Sequence, residues 1–340
     1  MLNKLKRNWT ILRDGFRQTD KVTRRRHVIL FALTCLTVFL AGTTFSSQGN
    51  GRGQYLDAAI YAVALLAILS SYAFARFIQA RSYGVYAGLP FFIPMPVFLP
   101  FGTFGVMTRT ANVGVNTRAL FDIAFWGPVM SFSLSVPCLV LGTYLSDVVP
   151  AAPQFENPLL IKVLARVMKD IPMGYDLSMH PLLAAGWVGL FFTAINLFPL
   201  GSLSGGQIVY ALFGNRQRDI AYMFMAFLFV MALYYPMWFA FVLLFIYLGV
   251  EHPELRQARN PLFYDLSQAT TRQPLDRRRQ YLALLCAVIF AVSFTLRPFE
   301  AGFEKGAERM PQPLNPPGEL APSPAPGTPT PAMPSDENSI

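Results

Sequence analysis

Few side chains in this sequence could do chemistry, and their spacing narrows what that chemistry would be. The chain has three histidines, His27, His180 and His252. A zinc site built on a helix needs two imidazoles at i and i+4 with a carboxylate close by. None of the three has a His, Asp or Glu at i+3 or i+4, although Glu251 and Glu254 flank His252. His180 and His252 each precede a proline, which suits a turn or a helix cap. Ser204 as a nucleophile would need a base, and no His or Lys is placed for it. Asp57 and Asp122 are the main carboxylates in apolar surroundings, each near a helix end. Asp122 reads as an N-terminal helix residue or the partner of an arginine.

The remaining group is Arg76, set inside the apolar stretch LSSYAFARFIQARSYGV at 69–85. Three readings stay open for it. Its long side chain could snorkel to the membrane interface. It could donate hydrogen bonds to Tyr72, Ser204, Gln207 or the Asn196 loop inside a polar cavity. It could also line a pocket for an anionic ligand or a substrate carbonyl.

Composition sets the solvent for these groups. Of the 340 residues, 53% are hydrophobic and 14% charged, with positive mean hydropathy, so runs long enough to span a bilayer are expected. The net charge of +9 falls in short basic runs between apolar segments, where it sets orientation and does not point to nucleic acid. Cys35, Cys138 and Cys286 all lie in apolar segments, which argues against a disulfide framework. Nine Lys or Arg within the first 27 residues mark a retained anchor, not a cleaved leader.

The elements that must position Arg76 follow from the apolar runs. About seven spans are expected: 28–46, 56–80, 120–146, 181–198, a hairpin of two helices divided by YYPMW at 234–238, and 280–297. Residues 86–106 hold four prolines and three glycines, which no straight helix tolerates, so a re-entrant or β-like hairpin is expected after span two. NLFPLGSLSGGQ at 196–207 interrupts span four, and a broken helix at membrane depth belongs where it meets protein or lines a cavity. An amphipathic helix is expected near LLIKVLARVMKD at 159–170. The domain plan is a basic cytoplasmic segment at 1–27, a membrane domain at 28–303, and a disordered Pro-rich tail at 304–340.

ARSYGVYAGLPFFIP at 80–94, GTFGVMTR at 102–109, FDIAFWGP at 121–128, HPLLAAGWVGLFFTAINLFPLGSLSGGQIVYALFG at 180–214 and HPEL at 252–255 occur in one order over a core of about 55–297. Together they resemble the site-2 protease family of intramembrane zinc metalloproteases. The resemblance implies an all-α polytopic membrane fold with a groove for an unwinding substrate helix. It also implies a zinc bound by two histidines of HExxH and the Asp of a later DG motif. Aligned on ARSYGV, those positions hold Tyr72 and Arg76 for the histidines, Ala73 for the glutamate, Ser204 for the aspartate and Gln207 for the His that follows it. The glycines, prolines and Asn196 around them fit the family pattern.

The resemblance therefore implies a pseudoprotease with no catalytic residue, no metal ligand and no cofactor. It would bind or regulate a transmembrane helix of a protein partner, which could be an active site-2 protease. Asn196, Pro199, Gly205, Gly206, Phe92 and Pro94 are the expected groove residues. The alternative is an active zinc endopeptidase of the same family with a relocated metal site. A transporter or lipid-handling protein would need more intramembrane polar residues than the chain has. The N-terminus is expected on the cytoplasmic or stromal side and the tail opposite. A bacterial inner membrane suits this topology first, and a plastid membrane suits it too.

Overall fold

The computed structural model describes residues 21–45, 52–95, 100–110, 115–150, 156–169, 175–258 and 273–296, with Thr10, Ile171 and Pro298. The 304–340 tail and most of the 1–27 segment lie outside these residues. The helices are α1 Lys21–Gly42, α2 Arg52–Ser82, α3 Thr117–Leu145, α4 Leu159–Lys169, α5 Pro181–Asn196, α6 Ser204–Phe213, α7 Gln217–Tyr234, α8 Met237–Leu248, α9 Pro253–Ala258 and α10 Arg277–Ser293. Four segments are long and apolar enough to cross a bilayer: Lys21–Phe45, Gly53–Ser82, Thr117–Leu145 and Ser204–Tyr234. The other expected spans appear as shorter helices, α5, α8 and α10. The chain is a mainly helical membrane protein.

The helix pairing expected between residues 216 and 250 is present. The α7 and α8 helices meet at Tyr235 and Pro236, where proline ends the first ladder. The Pro- and Gly-rich stretch forms an antiparallel pair, β1 Phe91–Pro94 with β2 Thr103–Met107. Phe91 opposes Met107, Ile93 opposes Gly105, and the register slips after Ile93. Phe101, at the turn, is fully buried against Trp187, Phe191 and Phe192, which ties the hairpin to α5. A second pair, β3 Val148–Pro150 with β4 Tyr175–Leu177, was not expected in the 147–180 loop. Three-residue strands carry too short an alternation to read. The helix expected within that loop is α4, which buries Ile161 and Ala165 on one face.

The core is α3 packed between α2 and α5. Small residues on α3 allow the close approach, as is common between membrane helices. Gly127 is the critical one: a Cβ there would stand 2.8 Å from both Arg76 Cγ and Tyr72 Cε2. Four residues on, Ser131 accepts a hydrogen bond from Thr193 of α5 at 2.9 Å. At the far end of the interface Asp122 takes both Arg279 Nε (2.9 Å) and Arg279 Nη2 (2.6 Å), and accepts from the Tyr83 hydroxyl. This bidentate pair fastens α10 to α3, so Asp122 is the arginine partner its position suggested.

Candidate functional site

The α2 helix places Tyr72 and Arg76 four residues apart on the face that Gly127 opens. Opposite them the chain leaves α5 at Asn196, turns through 197–203 and re-enters helix at Ser204. The turn is tight, since a Cβ on Gly205 would lie 1.9 Å from Leu197 O. It brings Ser204 and Gln207, both fully buried, against α2.

Arg76 is 4% exposed, and its Nη1 donates to Ser204 Oγ at 2.7 Å while Nη2 donates to Gln207 Oε1 at 3.1 Å. The Tyr72 hydroxyl donates to Asn196 Oδ1 at 2.9 Å and lies 3.1 Å from Ser204 Oγ. Asn196 Nδ2 in turn donates to Phe192 O, and Gln207 Nε2 to Ser202 O. The snorkelling reading of Arg76 fails because the guanidinium turns inward to these acceptors. The second of the three readings describes it: a buried hydrogen-bonded cluster joins α2 to the broken segment. Ala73, between the two, is fully buried and carries no reactive atom.

This donor set does not fit a zinc ion. A guanidinium has no lone pair to give and repels a second cation. Its nitrogens lie within hydrogen-bond distance of Ser204 and Gln207. Among the described residues no three His, Cys, Asp or Glu side chains converge to hold a metal. Ser204 is flanked by Arg76 and Tyr72, neither of which serves as a general base for a serine nucleophile.

The histidines act in the fold. The His180 ring caps α5, accepting from Leu182 N at 3.2 Å. The His252 ring accepts from Glu254 N at 3.4 Å at the start of α9 and stacks on Tyr210 at 4.1 Å. His252 N donates to Gln217 Oε1, and Gln217 Nε2 to Pro199 O, so the HPEL segment braces the same broken loop. His27 Nδ1 lies 3.1 Å from Pro90 O.

Burial pushes the His252 ring down to about 3, from an ordinary value of 6.5. The unfolded chain takes up this proton as pH falls below 6.5 while the folded chain does not. Stability contributed by the neutral ring is therefore full above pH 6.5 and is lost toward pH 3, by at most about 1.4 kcal/mol per pH unit. Thermal melts in detergent at pH 7.5 and 4.5 are expected to show this loss, reduced in His252→Gln.

An apolar cleft of about 80 Å³ opens beside the cluster. Its walls are Ile93 with Phe104–Met107 of the hairpin, Phe192, Ile195 and Asn196 of α5, and Phe241, Leu244, Phe245 and Leu248 of α8. Tyr72 forms its polar end. Of the groove residues expected from sequence, Asn196 lines this cleft, whereas Phe92, Pro94, Pro199, Gly205 and Gly206 do not. Strand alternation explains Phe92, which packs against Phe31 of α1 at 5.0 Å and leaves Ile93 to face the cleft. Pro94 is paired with Thr103 across the hairpin. Pro199, Gly205 and Gly206 are spent on the turn itself, their backbones within the loop that HPEL braces. The α8 wall has no local sequence signal, because its apolar residues look like any span.

Replacing Tyr72 by Phe removes the hydroxyl shared by Asn196 and Ser204. A loss of about 1–2 kcal/mol is expected, read as a melting point lower by a few degrees.

The family model for peptidase family M50 matches residues 77–234, beginning just after Arg76. Over 198 residues the chain is 31% identical to the probable zinc metalloprotease EGY2, chloroplastic, of Oryza sativa subsp. indica, covering 56% of this chain and 35% of that protein. It is 32% identical over 177 residues to the probable zinc metalloprotease EGY1, chloroplastic, of Arabidopsis thaliana, covering 48% and 31%. With the probable zinc metalloprotease EGY3, chloroplastic, of Oryza sativa subsp. japonica, it shares 29% over 209 residues, covering 55% and 35%. The chain spans about a third of the length of these relatives. No solved structure matches it. The matched region holds the hairpin, α3, α5, the broken loop and α7, and over residues 77–234 the chain is similar to peptidase family M50, the site-2 proteases.

Proposed function

We propose that this protein is a catalytically inactive site-2 protease homologue that binds a transmembrane segment of a protein partner in the cleft between the hairpin, α5 and α8. The observation that carries the reading is Arg76, whose guanidinium lies hydrogen-bonded to Ser204 and Gln207, at the positions where the resemblance in sequence would put the family's zinc site. A fixed cation cannot activate water as zinc does. What the fold keeps is a recognition surface: an apolar slot with Asn196 and Tyr72 at its polar end. A partner helix would have to part the hairpin from α8, since a cleft of about 80 Å³ holds no helix as it stands. Packing and interhelical hydrogen bonds would then supply affinity. Such a protein sequesters or regulates its partner, and an active site-2 protease is one candidate partner.

Basic residues at the start of α1 and the end of α2 support an N-terminus on the cytoplasmic or stromal side, in a bacterial inner or a plastid membrane. The test is site-specific photocrosslinking. A photoreactive residue at Phe104 or Leu244 is expected to trap an uncleaved membrane-spanning partner far better than one at Leu284, on the exposed face of α10. Equal yields from both faces would remove the cleft from the account. Accumulation of a partner fragment cut within its span would favour the active endopeptidase instead.

A further inference from the structure

Where α1 begins, α2 ends and the chain enters and leaves the hairpin, a cleft of about 690 Å³ collects charge of one sign. Its walls include Arg26 and His27 from α1, Arg81 from the last turn of α2, and Arg109 from just beyond β2. Among the described residues no Asp or Glu lines it. Three arginines from three separate segments line it. Arg81 Nε donates to Ala87 O at 3.2 Å, and Gly88 N donates to Arg109 O at 2.8 Å. His27 Nδ1 donates to Pro90 O, because a carbonyl can only accept, and this pins the ring to the hairpin entrance. Arg109 lies over the Phe91 ring at 5.7 Å, and Arg81 over Tyr86 at 5.8 Å. Stacking engages the flat face of a guanidinium and keeps its edge for planar bidentate bonding to an anion.

The cleft sits at a particular depth. The Arg24–Arg26 run stands just ahead of the apolar part of α1, where Val28, Ile29 and Phe31 are all exposed, and Arg81 closes α2. The basic wall is thus at the level where lipid headgroups lie, and Leu30, Leu89 and Phe91 continue the lining with apolar surface. Cations around a cleft of this size with apolar surface beside them match a lipid phosphate with its glycerol and upper acyl chain.

We propose that this cleft is a binding site for the phosphate group of an anionic phospholipid. Arg26 and Arg109 chelate the phosphate, Arg81 completes the positive wall, and the acyl chains lie along the exposed face of α1. An anion here neutralises charges that otherwise repel one another. Because β1 runs from this cleft to Ile93 in the apolar slot, the bound lipid braces the hairpin that forms one wall of that slot. This site is independent of whether the family's zinc chemistry survives.

The test uses the full chain, purified in detergent, exposed to phosphatidylglycerol or phosphatidylcholine of matched acyl chains, with retained lipid counted by native mass spectrometry. Wild-type protein is expected to retain phosphatidylglycerol at least about tenfold better. Arg26→Gln with Arg109→Gln should bring the two lipids level, whereas Arg216→Gln with Arg218→Gln should leave the preference intact. Arg26→Gln alone, on an exposed helix position, serves if the double variant fails to fold and should lose most of the preference. Equal losses from the two basic pairs would overturn the proposal in favour of diffuse surface charge, and no loss from Arg26 and Arg109 would overturn it outright. Displacement of the lipid by millimolar inorganic phosphate, with a matching rise in melting point, would assign the cleft to a soluble phosphate ligand instead.

Discussion

Gly205→Ala is expected to prevent recovery of folded protein. The added Cβ would lie 1.9 Å from Leu197 O, 2.3 Å from Leu197 C and 2.5 Å from Phe198 O. All three are backbone atoms, so no side-chain rotation relieves the clash. The 197–203 turn would have to move as a unit, drawing Ser204 and Gln207 away from Arg76 and stranding a buried cation. The cost is about 4 kcal/mol or more, a large part of a typical folding free energy. Gly84→Ala is the control, since its backbone has φ +70° but nothing lies within 4 Å of the new methyl. That change should cost about 1 kcal/mol. Size-exclusion profiles and melting points of the two variants in one detergent check the contrast, and a Gly205→Ala protein as stable as the Gly84→Ala protein would contradict it.

The second large effect is a gain. Combining Tyr72→His, Ala73→Glu, Arg76→His and Ser204→Asp is expected to create zinc binding near one equivalent per chain, from about none. The reason is geometric. Tyr72 and Arg76 share one helix face, and both side chains already reach Ser204, at 3.1 and 2.7 Å. Gly127 leaves room on that face for rings. Two imidazoles and a carboxylate at those three positions supply lone pairs where the present side chains supply donors. Zinc should then raise the melting point of the variant and leave the wild type unmoved, a readout that needs no substrate. A folded variant indifferent to zinc would show that the helices no longer stand at ligand distance.

Much of this architecture was legible because a bilayer imposes long apolar runs bounded by arginine, and because four prolines in 86–106 exclude a straight helix. The break at Asn196 was legible for the same reason, and the motif order located Tyr72, Arg76, Ser204 and Gln207 together. What sequence left open was the direction of Arg76. That depends on Gly127, about fifty residues away on another helix, whose missing Cβ lets α3 close over the guanidinium. The cleft walls were hidden for a different reason. One step of strand alternation decides whether Phe92 or Ile93 faces the cleft, and the bulge after Ile93 cannot be read from composition. The contribution of α8 arises only from how α7 and α8 fold back on the hairpin.

The central proposal is that a guanidinium stands at the position where the sequence resemblance would place the family's zinc. The most direct measurement is the metal content of the full-length protein, purified in detergent from zinc-supplemented cells and dialysed against metal-free buffer. The account predicts less than about a tenth of an equivalent of zinc, unchanged by His180→Ala or His252→Ala. Zinc near one equivalent, lost on either histidine substitution, would contradict it and place a metal site elsewhere in the chain.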